Sequence, residues 1–214
     1  MSIQNNETAQ SLKSKWLSYK GEYNVVGFYK EKSQQYGSFS NFYVHESVKF
    51  TIPDWCGAFA GQVVEFNFSE KLIMLCKASI MNDSIRFQEI LDSKTPLEAK
   101  KLGRKVTPFD PTIWNQNVCR IAKAVVECKF REVNGLKDIL LSTENALIAE
   151  ATPRDKIWGI GMGKNNPELF FPSKWRGSNI LGWALMEARE SLSPPCVTTL
   201  LPIISDFLDN KKSS

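Results

Sequence analysis

The chain has 214 residues, 43% of them apolar, and 27 basic against 23 acidic side chains leave a net charge of only +4. That length suits one domain burying most of its apolar surface, and a charge so near balance excludes holding a polynucleotide by net field alone, so any such contact must be local. Five cysteines without a Cys-x-x-Cys pair read as reduced thiols, and a single histidine, His45, leaves the usual zinc ligand set incomplete.

In chain order, residues 1–7 are polar and expected to be disordered, without the basic-then-apolar order of a secretory signal, and 8–19 can form a leading helix. Residues 24–30, 47–52 and 62–66 have the β-branched and aromatic content of strands, with 57–61 as a loop. Ser69 is the candidate N-cap of a helix over 70–79. Thr95-Pro96-Leu97-Glu98 predicts a capping box with proline at the first helical position, and Gly103 is placed to end that helix. Asp110-Pro111 repeats the signal before the longest helix, where Trp114, Val118, Ile121, Val125 and Cys128 recur every three or four residues as a core-facing stripe. A short helix over 136–141, a short strand over 147–151 and a strong helix over 179–192 follow; Ser193-Pro194-Pro195 then separates a last apolar piece, 199–208. The expected fold class is mainly α, an α+β domain with a few short strands. No apolar run approaches a membrane span, and the expected setting is intracellular, cytoplasmic or nuclear.

Several polar and aromatic residues stand out against this pattern. Glu70 and Lys77, seven residues apart, share one helix face roughly 10 Å apart along the axis. They are either a first-turn carboxylate favoured by the helix dipole with an exposed lysine, or charges set in a cleft, since 72–78 is otherwise strongly apolar. Trp158-Gly159-Ile160-Gly161-Met162-Gly163-Lys164 fails both standard phosphate-loop spacings, so it is either a plain turn or a loop whose N–H groups cradle a phosphate. Trp114, Trp158 and Trp175 fall at segment starts or in loops, positions that serve packing or stacking on a base. Asp155 caps a turn or supplies a second carboxylate. There is no Gly-x-Ser-x-Gly elbow, which disfavours acyl transfer.

Taken in order, Phe39-Ser40-Asn41-Phe42, Ser69-Glu70 with Lys77, Leu102-Gly103-Arg104, Trp114, Lys129-Phe130, Leu140-Leu141-x-Thr143, Asp155 with Trp158-Gly159, and Asn179-x-Leu181-Gly182 resemble the NADAR (YbiA-like) family of N-glycosidases. The resemblance covers about Val26 to Leu192 and implies a helix-rich catalytic domain over 23–193, with 1–22 as an N-terminal and 194–214 as a C-terminal extension. It implies cleavage between a sugar C1 and a nitrogen without cofactor or metal, by a monomer. The substrate would be ADP-ribosylated guanine in DNA or RNA, or a free nucleotide sugar such as the phosphoribosylamino intermediates of riboflavin synthesis. A non-catalytic ADP-ribose reader is the rival. Such chemistry needs an acid for the departing nitrogen and an anion that supports the sugar cation or activates water; Glu70 and Asp155 are the candidates. Lys77 would hold a phosphate or, as a neutral amine, attack C1. Arg104 and Lys164 would contact a diphosphate, Trp114 and Trp158 would stack, and Phe39, Ser40, Asn41, Gly159 and Asn179 would complete the binding surface. The chain departs from the family in 71–76, and 57–61 and 165–174 look like insertions, which bears on substrate choice more than on chemistry.

Overall fold

In a computed structural model describing residues 7–32 and 35–194, one long helix divides two apolar cores. The elements are α1 (Ala9–Leu17), β1 (Val25–Phe28), β2 (Val48–Thr51), β3 (Val63–Phe66), α2 (Ser69–Ile80), α3 (Ser84–Asp92), α4 (Pro96–Gly103), α5 (Pro111–Glu132), α6 (Leu136–Leu141), β4 (Leu147–Glu150) and α7 (Ile180–Leu192). The polar start over 1–6, Cys196 and the apolar piece over 199–208 lie outside the described residues. The class is the expected one: a mainly helical α+β domain with two small two-stranded sheets.

The dividing helix is α5, started by Pro111 and by Asp110, whose Oδ1 accepts the N–H groups of Thr112 at 2.7 Å and Ile113 at 3.3 Å. It carries two apolar stripes. Val118, Ala122, Val126 and Phe130, four apart, face a core shared with α1, α7 and the β1–β4 pair. Ile121, Val125 and Cys128 face a second core shared with α2, α3, α4 and the β2–β3 hairpin. Trp114 near its start and Trp158, in the loop between β4 and α7, touch both cores and so mark the seam between them. The leading helix belongs to the first core: Leu12 and Trp16 are buried, and the Trp16 indole donates to Ser178 O at 2.7 Å.

β1 and β4 pair in parallel, Val25 opposite Leu147 and Phe28 opposite Glu150. The register sets the carboxylate of Glu150 at the end of a strand, where the chain leaves for the 151–179 loop. α7 presses against that strand so closely that a Cβ at Gly182 would lie 2.1 Å from Ile148 O.

One local expectation is corrected. Ser69 does not cap α2; Phe68 is the extended N-cap residue, Ser69 Oγ is buried without a partner, and Asn41 O accepts the Glu70 N–H at 3.0 Å. A neighbouring loop supplies what a capping side chain would otherwise give. Gly103 is the last residue of α4, as expected, and it has a further use: a Cβ there would collide with the Met74 sulfur, so the glycine permits close approach of α4 to α2. The sequence reading also passed over α3, which Asp83 caps through the Arg86 N–H at 3.0 Å.

Candidate active site

The apolar run of α2 draws its first-turn carboxylate inside: Glu70 is only 6% exposed. Burial pushes its pKa up from the ordinary 4.5 to about 7, opposed by Lys100, reinforced by Asp155 and opposed again by Arg104. β4 brings Glu150 to the same place. Its carboxyl is pushed up to about 8, chiefly by burial, then by Asp155 and Glu70, while Lys100 acts against the shift. Glu150 Oε2 is buried without a hydrogen-bond partner. Asp155 folds its carboxylate back on its own turn, Oδ1 accepting the N–H groups of Ile157 at 2.9 Å and Trp158 at 2.8 Å. Three acidic and two basic side chains from α2, α4, β4 and the following loop thus act on one another.

Glu150 opens into a recess of about 400 Å³ whose other lining residues are Tyr29, Lys30, Glu31, Lys32, Ser40 and Phe42. Two rings that line the recess each have a cation over them, Lys30 over Tyr29 at 4.9 Å and Lys100 over Phe42 at 5.3 Å. Lys77 lies 4.4 Å from the Phe109 ring centroid and 5.5 Å from that of Trp114, and donates to Gly103 O at 2.7 Å; burial lowers its pKa. The cations acting on Glu70 are Lys100 and Arg104, and Lys77 is not among the groups that act on the carboxyls.

The remaining residues singled out in the sequence divide in two. Trp114 and Trp158 are half-buried at the seam, each with some surface open. Lys164 lines a separate recess of about 320 Å³ that shares Tyr29 with the first. Phe39, by contrast, is 1% exposed and packed edge-on against Phe28 and Phe130, so no ring face is left for a ligand. Asn179 is fully buried; its side chain accepts from the Glu150 N–H at 3.1 Å and donates to Ile148 O at 2.8 Å. It holds the strand that carries Glu150. Gly159 is buried against Glu150 O and Thr152, and the N–H groups of Asn179, Ile180 and Leu181 are bonded to Gly159, Ile157 and Trp158 carbonyls. The glycine loop therefore closes the N-terminus of α7 with its own backbone, leaving those three N–H groups unavailable to a phosphate.

Ser40 and Asn41 sit on a loop fixed by Lys129, which is 1% exposed and donates to Ser38 O at 2.6 Å and Ser40 O at 2.9 Å. Burial brings the Lys129 ammonium down to about 7. Lys129 and Lys100 had no site role in the sequence reading, and Glu150 had a place beside Asp155 in the ordered set but no chemical role. Glu150 was signalled by its place five residues before Asp155 at the end of a strand pattern, whereas nothing in spacing alone marks Lys100 or Lys129.

The NADAR domain family matches residues 27–193. The chain belongs to the NADAR family. It is 36% identical over 129 residues to N-glycosidase R617 of Acanthamoeba polyphaga mimivirus, covering 60% of this chain and 76% of that one. It is 30% identical over 168 residues to the Nostoc punctiforme N-glycosidase Npun_R5314, covering 78% and 92%. Its fold matches the NMR structure of E. coli YbiA with a TM-score of 0.58 and 24% identity, over 81% of this chain and 88% of the other. This NADAR protein is accordingly an N-glycosidase.

Its buried carboxyls carry a cost that can be measured. The folded Glu70 carboxyl ionises near 7 and the unfolded one near 4.5, so the folded state keeps its proton longer and stability falls as pH rises through that window. At about 1.4 kcal/mol per unit the loss is on the order of 3 kcal/mol for a lone group, and less for one sharing its field with Glu150. Glu70→Gln, uncharged at every pH, is expected to be more stable than wild type above about pH 8 by a few kcal/mol and nearly equal to it at pH 4.5. Urea melts at both pH values check this; equal stabilities at the higher pH would contradict the burial of a charge.

Proposed function

We propose that this N-glycosidase removes ADP-ribose from ADP-ribosylated guanine in DNA or RNA, with Glu70 and Asp155 among the carboxyls that move the proton and support the positive sugar about the scissile C1–N bond. The observation that carries the reading is the juxtaposition of a carboxyl cluster with two ring-and-cation pairs. Carboxyls suit a reaction in which C1 gains positive charge and the nitrogen gains a proton. Rings with cations over them suit flat bases joined by phosphates, because a base stacks on the ring while the cation meets the anionic linkage. In this reading Arg104 and Lys100, the cations that act on Glu70, meet the diphosphate together with Lys164 of the neighbouring recess, while Tyr29 and Phe42 of the recess wall and Trp114 and Trp158 of the seam offer rings for stacking. Ser40 and Asn41 border the sugar. The protein acts alone, as a monomer, and needs no cofactor or metal.

Lys77 serves as a point charge on a substrate phosphate. Its ammonium is held by Gly103 O and by two ring faces, all of which favour the charged form over the neutral amine that attack on C1 would require. Borohydride treatment during turnover is expected to label wild type and Lys77→Ala alike, at background. Label present in wild type and missing from Lys77→Ala would make Lys77 the nucleophile instead.

The substrate is tested by incubating the protein with guanine-ADP-ribosylated oligonucleotide, with the phosphoribosylamino riboflavin intermediate and with NAD, reading released base by chromatography. Release of unmodified guanine is expected. Release from the riboflavin intermediate alone would move the substrate to that metabolite, and tight binding without any release would leave an ADP-ribose reader.

A further inference from the structure

We propose that Glu150 is the general acid of the reaction, giving its proton to the departing nitrogen while Glu70 receives the proton of the attacking water. The inference deepens the glycosidase reading and rests on it. Of the three acidic side chains, Asp155 already spends an oxygen on the N–H groups of Ile157 and Trp158, and so is held as an acceptor. A carboxylate that accepts two backbone N–H groups is a poor proton donor. Glu150 is built the other way. Its backbone is pinned on both sides, the N–H by Asn179 Oδ1 and the carbonyl by Ile160 N at 2.9 Å, while Oε2 has no partner at all. The backbone is thus fixed, Oε2 is buried without a partner, and the residue lines the recess together with Tyr29, Ser40 and Phe42.

The charged groups facing it are Asp155 from the following loop, Glu70 from α2 and Lys100 from α4, with Lys30, Glu31 and Lys32 around the recess. Burial raises the pKa of Glu150 and Glu70 alike, so both can hold a proton near neutral pH. Of the two only Glu150 lines the recess, which puts it beside a bound leaving group, while Glu70 is left to take the proton of water. The C1–N bond breaks, and its electron pair goes to nitrogen, which takes the Glu150 proton. Water oxygen bonds to C1, and its released proton goes to the Glu70 carboxylate. Products are the free base and the sugar hydroxyl, and passage of a proton from Glu70 to Glu150 through solvent restores both groups. Asp155 stays anionic and supports the positive sugar.

Glu150→Gln keeps the backbone bonds and the side-chain shape, so it is expected to fold. On the natural linkage its kcat should fall at least about 100-fold, the usual scale of acid assistance, with KM changed little and the alkaline limb of the pH profile lost. On an analogue whose leaving group departs as a 4-nitrophenolate anion, Glu150→Gln should retain activity within about 10-fold of wild type, because no proton is needed, whereas Glu70→Ala should stay impaired. Equal losses on both substrates would overturn the assignment. A second readout is independent of turnover: the infrared carbonyl stretch of a protonated carboxyl should persist in wild type at neutral pH and weaken in Glu150→Gln. Its absence from wild type would also overturn the assignment, and a wild type inert on every substrate but retaining this band would refute the glycosidase reading alone.

Discussion

Glu70→Ala is expected to lower kcat by at least about 100-fold while the protein stays folded. Glu70 makes no side-chain hydrogen bond among the described residues, and its structural tie is the backbone N–H to Asn41 O, which alanine keeps. Removing the carboxylate from the end of α2 also removes a group whose ionisation opposes folding, so the variant should melt no earlier than wild type at neutral pH. The loss is expected in the chemical step, since Lys100, Arg104 and the aromatic rings proposed to hold substrate are untouched. Steady-state kinetics on the ADP-ribosylated oligonucleotide, together with a melt, separate the two effects. A kcat within about threefold of wild type would remove Glu70 from the reaction.

The second large effect concerns Asn179, whose site is structural. Its backbone is left-handed, with φ of 53°, a conformation asparagine tolerates and alanine resists. Asn179→Ala adds that strain and strips the partner from two buried backbone groups, Ile148 O and the Glu150 N–H, each worth roughly 1–3 kcal/mol when left unpaired. We expect a loss of about 3 kcal/mol, or a fall in Tm on the order of 10 °C for a chain of this size. Asn179→Gly should recover about 1 kcal/mol of it by relieving the backbone without restoring the bonds. Activity should fall further than stability explains, because the strand end that aims Glu150 loses its tie. Calorimetry on the two variants decides the matter; an unchanged Tm in Asn179→Ala would mean the two bonds carry no net weight.

Asn179 also shows where sequence reading reaches its limit. An asparagine at a helix start reads equally well as a cap, a ligand for a sugar hydroxyl or a clamp, and what separates these is a parallel strand pair joining residues more than 100 positions apart, Val25 with Leu147. Proline-marked helix starts were legible because Asp110 and Thr95 act on residues two or three positions away. Gly103 ends α4 as read, but its close approach to Met74 was not legible, because Met74 lies on another helix and local signals carry no record of helix–helix approach. Phe39 looked like a surface ring beside Ser40 and Asn41; the turn that presents those two drives its ring into the core against Phe130. Glu70, Arg104 and Asp155 were legible as a set through family resemblance, and the structure brings them within electrostatic reach of one another. Lys100 entered unannounced because a lysine three residues before a glycine on an amphipathic helix looks like any solvated charge. The depth of burial that makes Glu70 and Glu150 weak acids comes from tertiary packing of α2 and β4, which no spacing records.

The account stands or falls on two buried carboxyls working on one bond. The pH dependence of kcat/KM on ADP-ribosylated guanine tests this most directly: a narrow bell is predicted around pH 7 to 8, its two limbs belonging to the coupled Glu70–Glu150 pair. A profile flat across that range would contradict it.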